Sequence, residues 1–525
     1  MLLLQFLDSL VTCMRLSLFV YVALLLGADA LAASSRASVL LVGGNMTVCS
    51  DRSPEACTPG FFATSAAHLA ARYRVDSEGI ARLSTGWLEH RSKTRDSVVE
   101  ALEALRKDGD VDLDYSELAS KLGATWTGLA TFEQERVTDA LELPSATERT
   151  LLTATKEPKT RAILDTFSGM AREVSLRGRP RILVFTGSSR DPFASVAHYT
   201  EAFSQTEAKV LWMPLDMAVR AAQRNPAVDC ERLDVIRGEL GGAHDRTRLN
   251  RMRAEQMKSA CTNTRMLTDL LLWTDAVFFN GGDQSFTRAA WFNADGSPSA
   301  ELELLRKRHA AGEIVIGGTS AGAAVLAYSG AMMVSGQDVI GKATAIETQP
   351  PRLGCAVADA CAGTPEFALL YHPGGGLGSF DQGVIDTHFS ERGREWRLAR
   401  LLLDAELPLG LGVDETTAVR LDRVDKGYLA TVVGVGSVTV VTRRDKDAVV
   451  LQRFNHGAKF ELPGKPIKGK CKGKALTAVG VPVDSGELRK ALDAASEKPA
   501  PTPLRIGDAA AGEACGVGGA LLWEF

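Results

Sequence analysis

Short apolar runs bounded by polar and turn-forming residues recur at Ser38 to Val42, Arg181 to Phe185, Val210 to Met213, Asp275 to Phe279 and Glu313 to Ile316. A strand covered on both faces reads as a continuous apolar run rather than as alternation, so these five are predicted to be buried strands. Polar or amphipathic stretches of helical length, Ser299 to Ala310 among them, separate the runs. Strand alternating with helix predicts an α/β unit with a mostly parallel sheet and helices on both faces. Beyond Ala418 the pattern changes to alternation, from Val419 to Thr442, which predicts a hairpin extending the sheet.

Two regions stand outside this rhythm. Residues of about 60 to 178 separate the first run from the second and are charged and helix-prone, so they are predicted to be an insertion. Within it Val98, Leu102 and Leu105 recur at helical spacing. The insertion also holds Asp108, Asp110, Asp112, Asp114 and Glu117, in a pattern like the later part of a calcium-binding loop. Arg106 would fall where the first acidic ligand belongs and Val111 where glycine makes the turn, so an acidic solvated turn is the better reading. After residue 443, Gly464 to Gly473 is rich in lysine and glycine, and Lys498 to Pro503 is rich in proline. These mark a small C-terminal extension over 444–525, following an α/β unit over 33–443.

Composition adds limits. The chain has 525 residues, 45% hydrophobic and 24% charged, enough to bury a large core. A formal charge of -4 supplies no basic field for nucleic acid or an anionic membrane surface, so neither is expected as a partner. At the N-terminus Arg15, the apolar run Leu16 to Leu26 and the small residues around Ala30-Leu31-Ala32 form a signal-peptide pattern over 1–32. The run is short of the roughly 18 apolar residues that argue for a membrane span. A soluble, secreted or periplasmic mature protein is expected. Of nine cysteines, removal of Cys13 leaves eight, an even number that suits disulfides. Neighbour pairing (49 with 57, 230 with 261, 355 with 361, 471 with 515) closes the shortest loops. No CxxC or Cys/His cluster has zinc spacing, and neither metal nor cofactor is expected.

The chemistry concentrates downstream. Ile314-Val-Ile-Gly-Gly-Thr-Ser320-Ala-Gly is a strand running into a sharp small-residue turn and then a helix-prone segment, which is the arrangement of a nucleophile elbow. Ser320 is the candidate nucleophile, and the amide of Ala321 a candidate oxyanion donor. A second glycine turn, Asn280-Gly281-Gly282-Asp283-Gln284, follows another strand. It is expected at the same sheet edge, with Gly281 or Gly282 as second donor and Asp283 and Gln284 facing substrate, or as a capped loop. His388 follows a short apolar run and is the candidate base; His372, in Tyr-His-Pro-Gly, reads as a turn residue. For the orienting carboxylate Glu415 leads, with Asp338 and Asp386 as alternatives. Arg392, Arg394 and Arg397 either bind an acidic substrate group in two-point fashion or pair with Glu391 and Glu395 on a solvated helix.

Taken in order, the Gly-Gly-Asp-Gln turn, the Gly-Thr-Ser-Ala-Gly elbow, Asp386-Thr-His-Phe-Ser-x-Arg-x-Arg-x-x-Arg397 and Gly412-Val-Asp-Glu415 resemble the cyanophycinase branch of the peptidase E family. The four motifs span Asn280 to Glu415, and a weaker resemblance covers roughly Val39 to Leu421. The resemblance implies a class I glutamine amidotransferase-like fold, a Ser320, His388 and Glu415 triad, no cofactor, and cleavage of aspartate-derived peptide bonds. Gly282 and Ala321 would hold the oxyanion, and Gln284, Asp386, Arg392, Arg394 and Arg397 would line the pocket. Cyanophycin, a polyaspartate carrying arginine on each side-chain carboxyl, is the implied polymer, released as β-aspartyl-arginine. One departure is Thr387, where the family has Gln. The insertion and the extension lie beyond the family core and are read as a polymer-binding surface, a homodimer contact, or neither. Rival readings are an α-aspartyl dipeptidase of the same family, an α/β-hydrolase esterase with Asp338 as its acid, and a secreted binding protein without catalysis.

Overall fold

The computed structural model describes residues 37–62, 71–327, 332–335, 346–347, 353–355, 357–359, 369–444, 448–462, 476–478, 504–506 and 520–524. The expected signal segment, Asp338, Cys361, Cys471, Cys515 and most of the C-terminal extension lie outside the described residues.

Five parallel strands carry the molecule: β1 (Ser38–Val42), β2 (Arg181–Phe185), β3 (Lys209–Met213), β4 (Ala276–Phe279) and β5 (Val315–Thr319). They run side by side in the order β1-β5-β4-β2-β3. The reason their sequences show no alternation is visible in the packing. Val39, Leu41, Leu183, Phe185, Val277, Phe279 and Ile316 enter a core on one face. Leu40, Val42, Ile182, Val184, Ala276, Phe278 and Val315 enter a second core on the other, so both faces are dry. The fifth strand extends beyond its expected end at Ile316. Gly317 and Gly318, which read as turn residues, pair with Phe278 and Phe279. A Cβ on Gly317 would lie 2.6 Å from the Phe167 ring, so a flat, side-chain-free strand end is what this layer accommodates.

The polypeptide then builds more sheet than a single extended one. Strands β6 (Val384–Thr387) and β7 (Leu409–Val413) pair in parallel in a second sheet. From β7 the chain crosses through Asp414-Glu415-Thr416 into β8 (Thr417–Val424), which lies antiparallel to β1 in the first sheet. β9 (Gly427–Gly434) completes the expected hairpin with β8. β10 (Ser437–Arg443), expected to continue that hairpin, instead returns to the second sheet beside β7. The result is an α/β fold whose two largest sheets among the described residues are both mixed, the eight-stranded one holding the five-stranded parallel part.

Between β1 and β2, residues 73 to 141 enclose a hydrophobic cluster of their own around Val75, Val98, Leu102, Leu118, Val137 and Leu141. The expected helical stripe lies on the helix Ser92–Leu105, with Val98 and Leu102 fully buried. The acidic segment beside it is used locally. Asp112 pairs with Arg74, while Asp114 and Glu117 form a capping box at the start of the helix Tyr115–Leu122. Buried Asp139 fastens this region to the rest of the chain: it receives both outer nitrogens of Arg190 and the amide of His244, and pairs with Arg246 at 3.0 Å. Disulfides join Cys49 to Cys57 and Cys230 to Cys261, and Cys355 is also disulfide-bonded. No helix among the described residues is long and apolar enough to cross a membrane.

Candidate active site

Carboxyl ends of parallel strands gather loops at one sheet edge, and here five such ends, those of β1, β4, β5, β6 and β7, converge from two sheets. Ser320 follows β5 and precedes the short helix α1 (Ala321–Ala324). Its backbone has φ 53° and ψ -121°, a conformation that few non-glycine residues adopt. The turn is held by backbone contacts: Ser320 N–H donates to the Val42 carbonyl of β1 at 2.9 Å. A Cβ on Gly318 would lie 2.2 Å from the Gly322 carbonyl oxygen, and one on Gly322 would lie 2.3 Å from that of Phe279. Glycine on both sides of the serine is therefore a packing requirement of the elbow.

His388 follows β6, also with positive φ, and its amide donates to the Gly43 carbonyl at 2.8 Å. Glu415 lies in the crossover between β7 and β8. The structure brings these three side chains into one line. Ser320 Oγ is 2.7 Å from His388 Nε2, and His388 Nδ1 is 2.6 Å from Glu415 Oε1. Because a carboxylate only accepts, the proton of this contact belongs on Nδ1, leaving Nε2 to accept from the serine hydroxyl. Burial lowers the imidazole pKa below its ordinary value; the hydrogen bond to Glu415 opposes this, and the charges of Arg392 and Arg394 add to the lowering. A neutral ring facing the serine is the form this environment favours.

The other carboxylates near by are engaged elsewhere. Asp414 is buried and accepts from the Ser390 and Ser437 amides, the Ser437 hydroxyl and Arg453. Asp386 is 2% exposed and faces Arg397, 4% exposed, through two contacts of 2.7 and 2.5 Å. Arg394 donates to the Thr387 carbonyl at 2.7 Å and approaches Asp386 at 3.5 Å. The geometry gives Arg397 a further partner in Asp386, two residues before His388. Arg392 is exposed, and among the described residues no carboxylate forms an ion pair with it.

The second glycine turn lies against the serine. A Cβ on Gly281 would be 3.3 Å from Ser320 Cβ. Burial pushes the pKa of the Tyr199 hydroxyl up to about 12, an effect that the Gly281 backbone partly offsets. Gly282 has φ 142° and packs on the Ser188 carbonyl. Asp283 caps the helix Gln284–Trp291 by accepting from the Ser285 amide at 2.7 Å, and Gln284, half-buried, opens that helix.

Three residues of the site carried no motif. Asn45, after β1, donates from Nδ2 to Glu415 Oε2 at 3.0 Å. Gly44 leaves room for the imidazole, since a Cβ there would be 2.3 Å from His388 Cε1. Tyr199 is the third. The signal for the first two was the Gly43-Gly44-Asn45 turn at the end of the first strand. Among the described residues, no group of three or more His, Cys, Asp or Glu side chains is placed to hold a metal.

No family model matches the chain. Over 182 residues, 35% of its length, it is 30% identical to a cyanophycinase of Geminocystis herdmanii, of which 53% is covered. Over 223 residues, 42% of its length, it is 28% identical to a cyanophycinase of Trichormus variabilis, of which 61% is covered. A third cyanophycinase, from Synechococcus elongatus, is 31% identical over 169 residues, with 32% of this chain and 42% of that protein covered. The chain thus spans about half of the relatives' own length, and over that span it is related to the cyanophycinases. A solved structure of a peptidase from an acI-B1 Actinobacterium overlays on 57% of this chain and 91% of its own, at 14% identity and a TM-score of 0.33.

Proposed function

We propose that this protein is an exported serine-type exopeptidase that hydrolyses cyanophycin to β-aspartyl-arginine dipeptides. The observation that carries the reading is the continuous contact from Ser320 through His388 to Glu415 at the edge shared by the two sheets. Similarity to proteins named cyanophycinase supports the choice of polymer. Two disulfides support an oxidising compartment, secreted or periplasmic, with residues 1–32 removed as a leader. In this reading residues 33–443 form a class I glutamine amidotransferase-like peptidase unit interrupted by an insertion over 60–178, followed by the extension 444–525.

The mechanism follows from the proton positions. His388 Nε2 takes the Ser320 proton as Oγ bonds to the scissile carbonyl carbon, and Glu415 stabilises the imidazolium that forms. The negative oxygen is received by the amides of Ala321 and Gly282. Collapse expels the amine of the departing chain, which takes the proton from His388 and leaves an acyl-enzyme. Water, deprotonated by the same imidazole, then cleaves the ester, and Ser320 regains its proton. Arg392 suits the substrate carboxylate, since Arg397 and Asp386 already satisfy one another. In this reading Asp386, Thr387, Arg394 and Arg397 shape the pocket beneath the histidine, while Asp283 and Gln284 border it from the other side.

The test is incubation of the mature protein and its Ser320→Ala variant with insoluble cyanophycin, followed by mass spectrometry for β-aspartyl-arginine. Release by the wild type alone is expected. Without release, continued labelling of Ser320 by a fluorophosphonate would retain the serine hydrolase and direct attention to α-aspartyl dipeptides.

A further inference from the structure

Nine non-glycine residues among those described have positive φ, and four of them meet at this site: Asn45 at 49°, Ser320 at 53°, His388 at 50° and Thr416 at 50°. Backbone strain gathered at one place points to function. Three of the four belong to the triad or to the residue after its acid; the fourth is Asn45. We infer that Asn45 is a positioning residue: its carboxamide holds the second oxygen of Glu415 so that the first faces His388. The inference rests on the serine-triad reading.

The geometry forms a chain of side chains. Thr47 Oγ1 donates to Asn45 Oδ1 at 2.8 Å, which fixes which end of the amide is the donor. Asn45 Nδ2 then donates to Glu415 Oε2 at 3.0 Å, and Glu415 Oε1 meets His388. The backbone closes the arrangement: Thr416 Oγ1 donates to the Asn45 carbonyl and the Thr416 amide to that of Gly44, both at 2.9 Å. With one oxygen held on each side, the carboxylate cannot swing about its terminal bond. A neutral amide donor also favours the ionised carboxylate without placing a second charge beside the imidazole. Aspartate at the same position would place one there.

A plainer explanation is that asparagine is one of the few side chains at ease with positive φ, and so serves the turn alone. Two variants separate the explanations. Asn45→Gly preserves the backbone conformation and removes the amide. Asn45→Asp preserves shape and adds a charge to those already facing His388, namely Glu415, Arg392 and Arg394, with Glu391 and Asp414 behind Glu415. The measurement is the second-order rate of fluorophosphonate labelling of Ser320 as a function of pH, with thermal melting as a folding control and Glu415→Gln alongside.

Labelling of Asn45→Gly is expected to slow about 10-fold, as befits loss of one exposed hydrogen bond to a charged group. In Asn45→Asp the acid limb is expected to move to higher pH, because the added carboxylate favours the imidazolium. Thr47→Val should give a smaller slowing in the same direction. Wild-type rate and acid limb in both Asn45 variants overturn the inference while leaving the triad intact. A lowered rate with an unmoved limb in Asn45→Asp also overturns it, in favour of the turn alone. If the wild type itself is not labelled, the triad reading falls and this one with it.

Discussion

The two halves of the site are built by different means. On the serine side, β5, β4 and the elbow are held by backbone against backbone, with Gly318, Gly322 and the Phe279 carbonyl in close contact. On the histidine side, β6, β7 and the crossover are held by charged side chains, Asp386 with Arg397 and Asp414 with Arg453. Close packing leaves no alternative arrangement for Ser320, whereas ion pairs fix a loop through partners that lie further along the sequence. Sequence reading reflects the difference: the first half is spelled out over a few adjacent residues, the second only where the partners happen to be near.

Four outcomes would sharpen or break this contrast. The largest effect belongs to the proposed triad. Ser320→Ala should lower turnover of the polymer by about 10⁶-fold and Glu415→Gln by about 10⁴-fold, measured as dipeptide release. If Glu415→Gln were silent, the histidine would be oriented by something other than the crossover carboxylate. Next, Gly322→Ala should prevent accumulation of folded protein, assayed by soluble yield and circular dichroism, because the Cβ collides with main chain that cannot move aside. A stable Gly322→Ala variant would show the elbow to be looser than its contacts imply.

Arg397→Met should then cost about 3 kcal/mol in denaturant unfolding, since it leaves the buried Asp386 charge with only the more distant Arg394. Adding Asp386→Leu to that variant should recover much of the loss. Equal stability of Arg397→Met and the wild type would deny the histidine side its dependence on charge. The smallest effect concerns pH. Burial and the nearby arginines depress His388, so the acid limb of kcat/KM should lie at lower pH than an ordinary histidine would place it. Arg392→Gln, which removes one of the cations that lower it, should move this limb to higher pH.

Much of the first sheet was legible because burial on both faces leaves a mark in the strand itself. Ser38–Val42 and Arg181–Phe185 have the predicted limits. The end of β5 was misjudged because Gly317 and Gly318 resemble a turn; Gly317 is required by Phe167, some 150 residues earlier, and Gly318 by the Gly322 backbone. The second sheet was invisible as a separate body: alternation from Val419 to Thr442 predicts strands but says nothing of which sheet each joins. Ser320, His388 and Glu415 were nominated from their place after apolar runs, and the structure sets them in contact. Asn45 was not, since an asparagine after two glycines reads as a turn until a carboxylate 370 positions away is seen to meet it.

The pairing of β1 with β8 has a consequence for the newly made chain. Ser38 meets Asp422 across a sequence separation of 384 residues, and the crossover bearing Glu415 leads directly into β8. As synthesis proceeds from the N-terminus, β1 waits for β2 to β7 to emerge before β8 covers its outer edge. On the proposed triad, Ser320 therefore gains its oriented base only late in synthesis, once the crossover and β8 have been made.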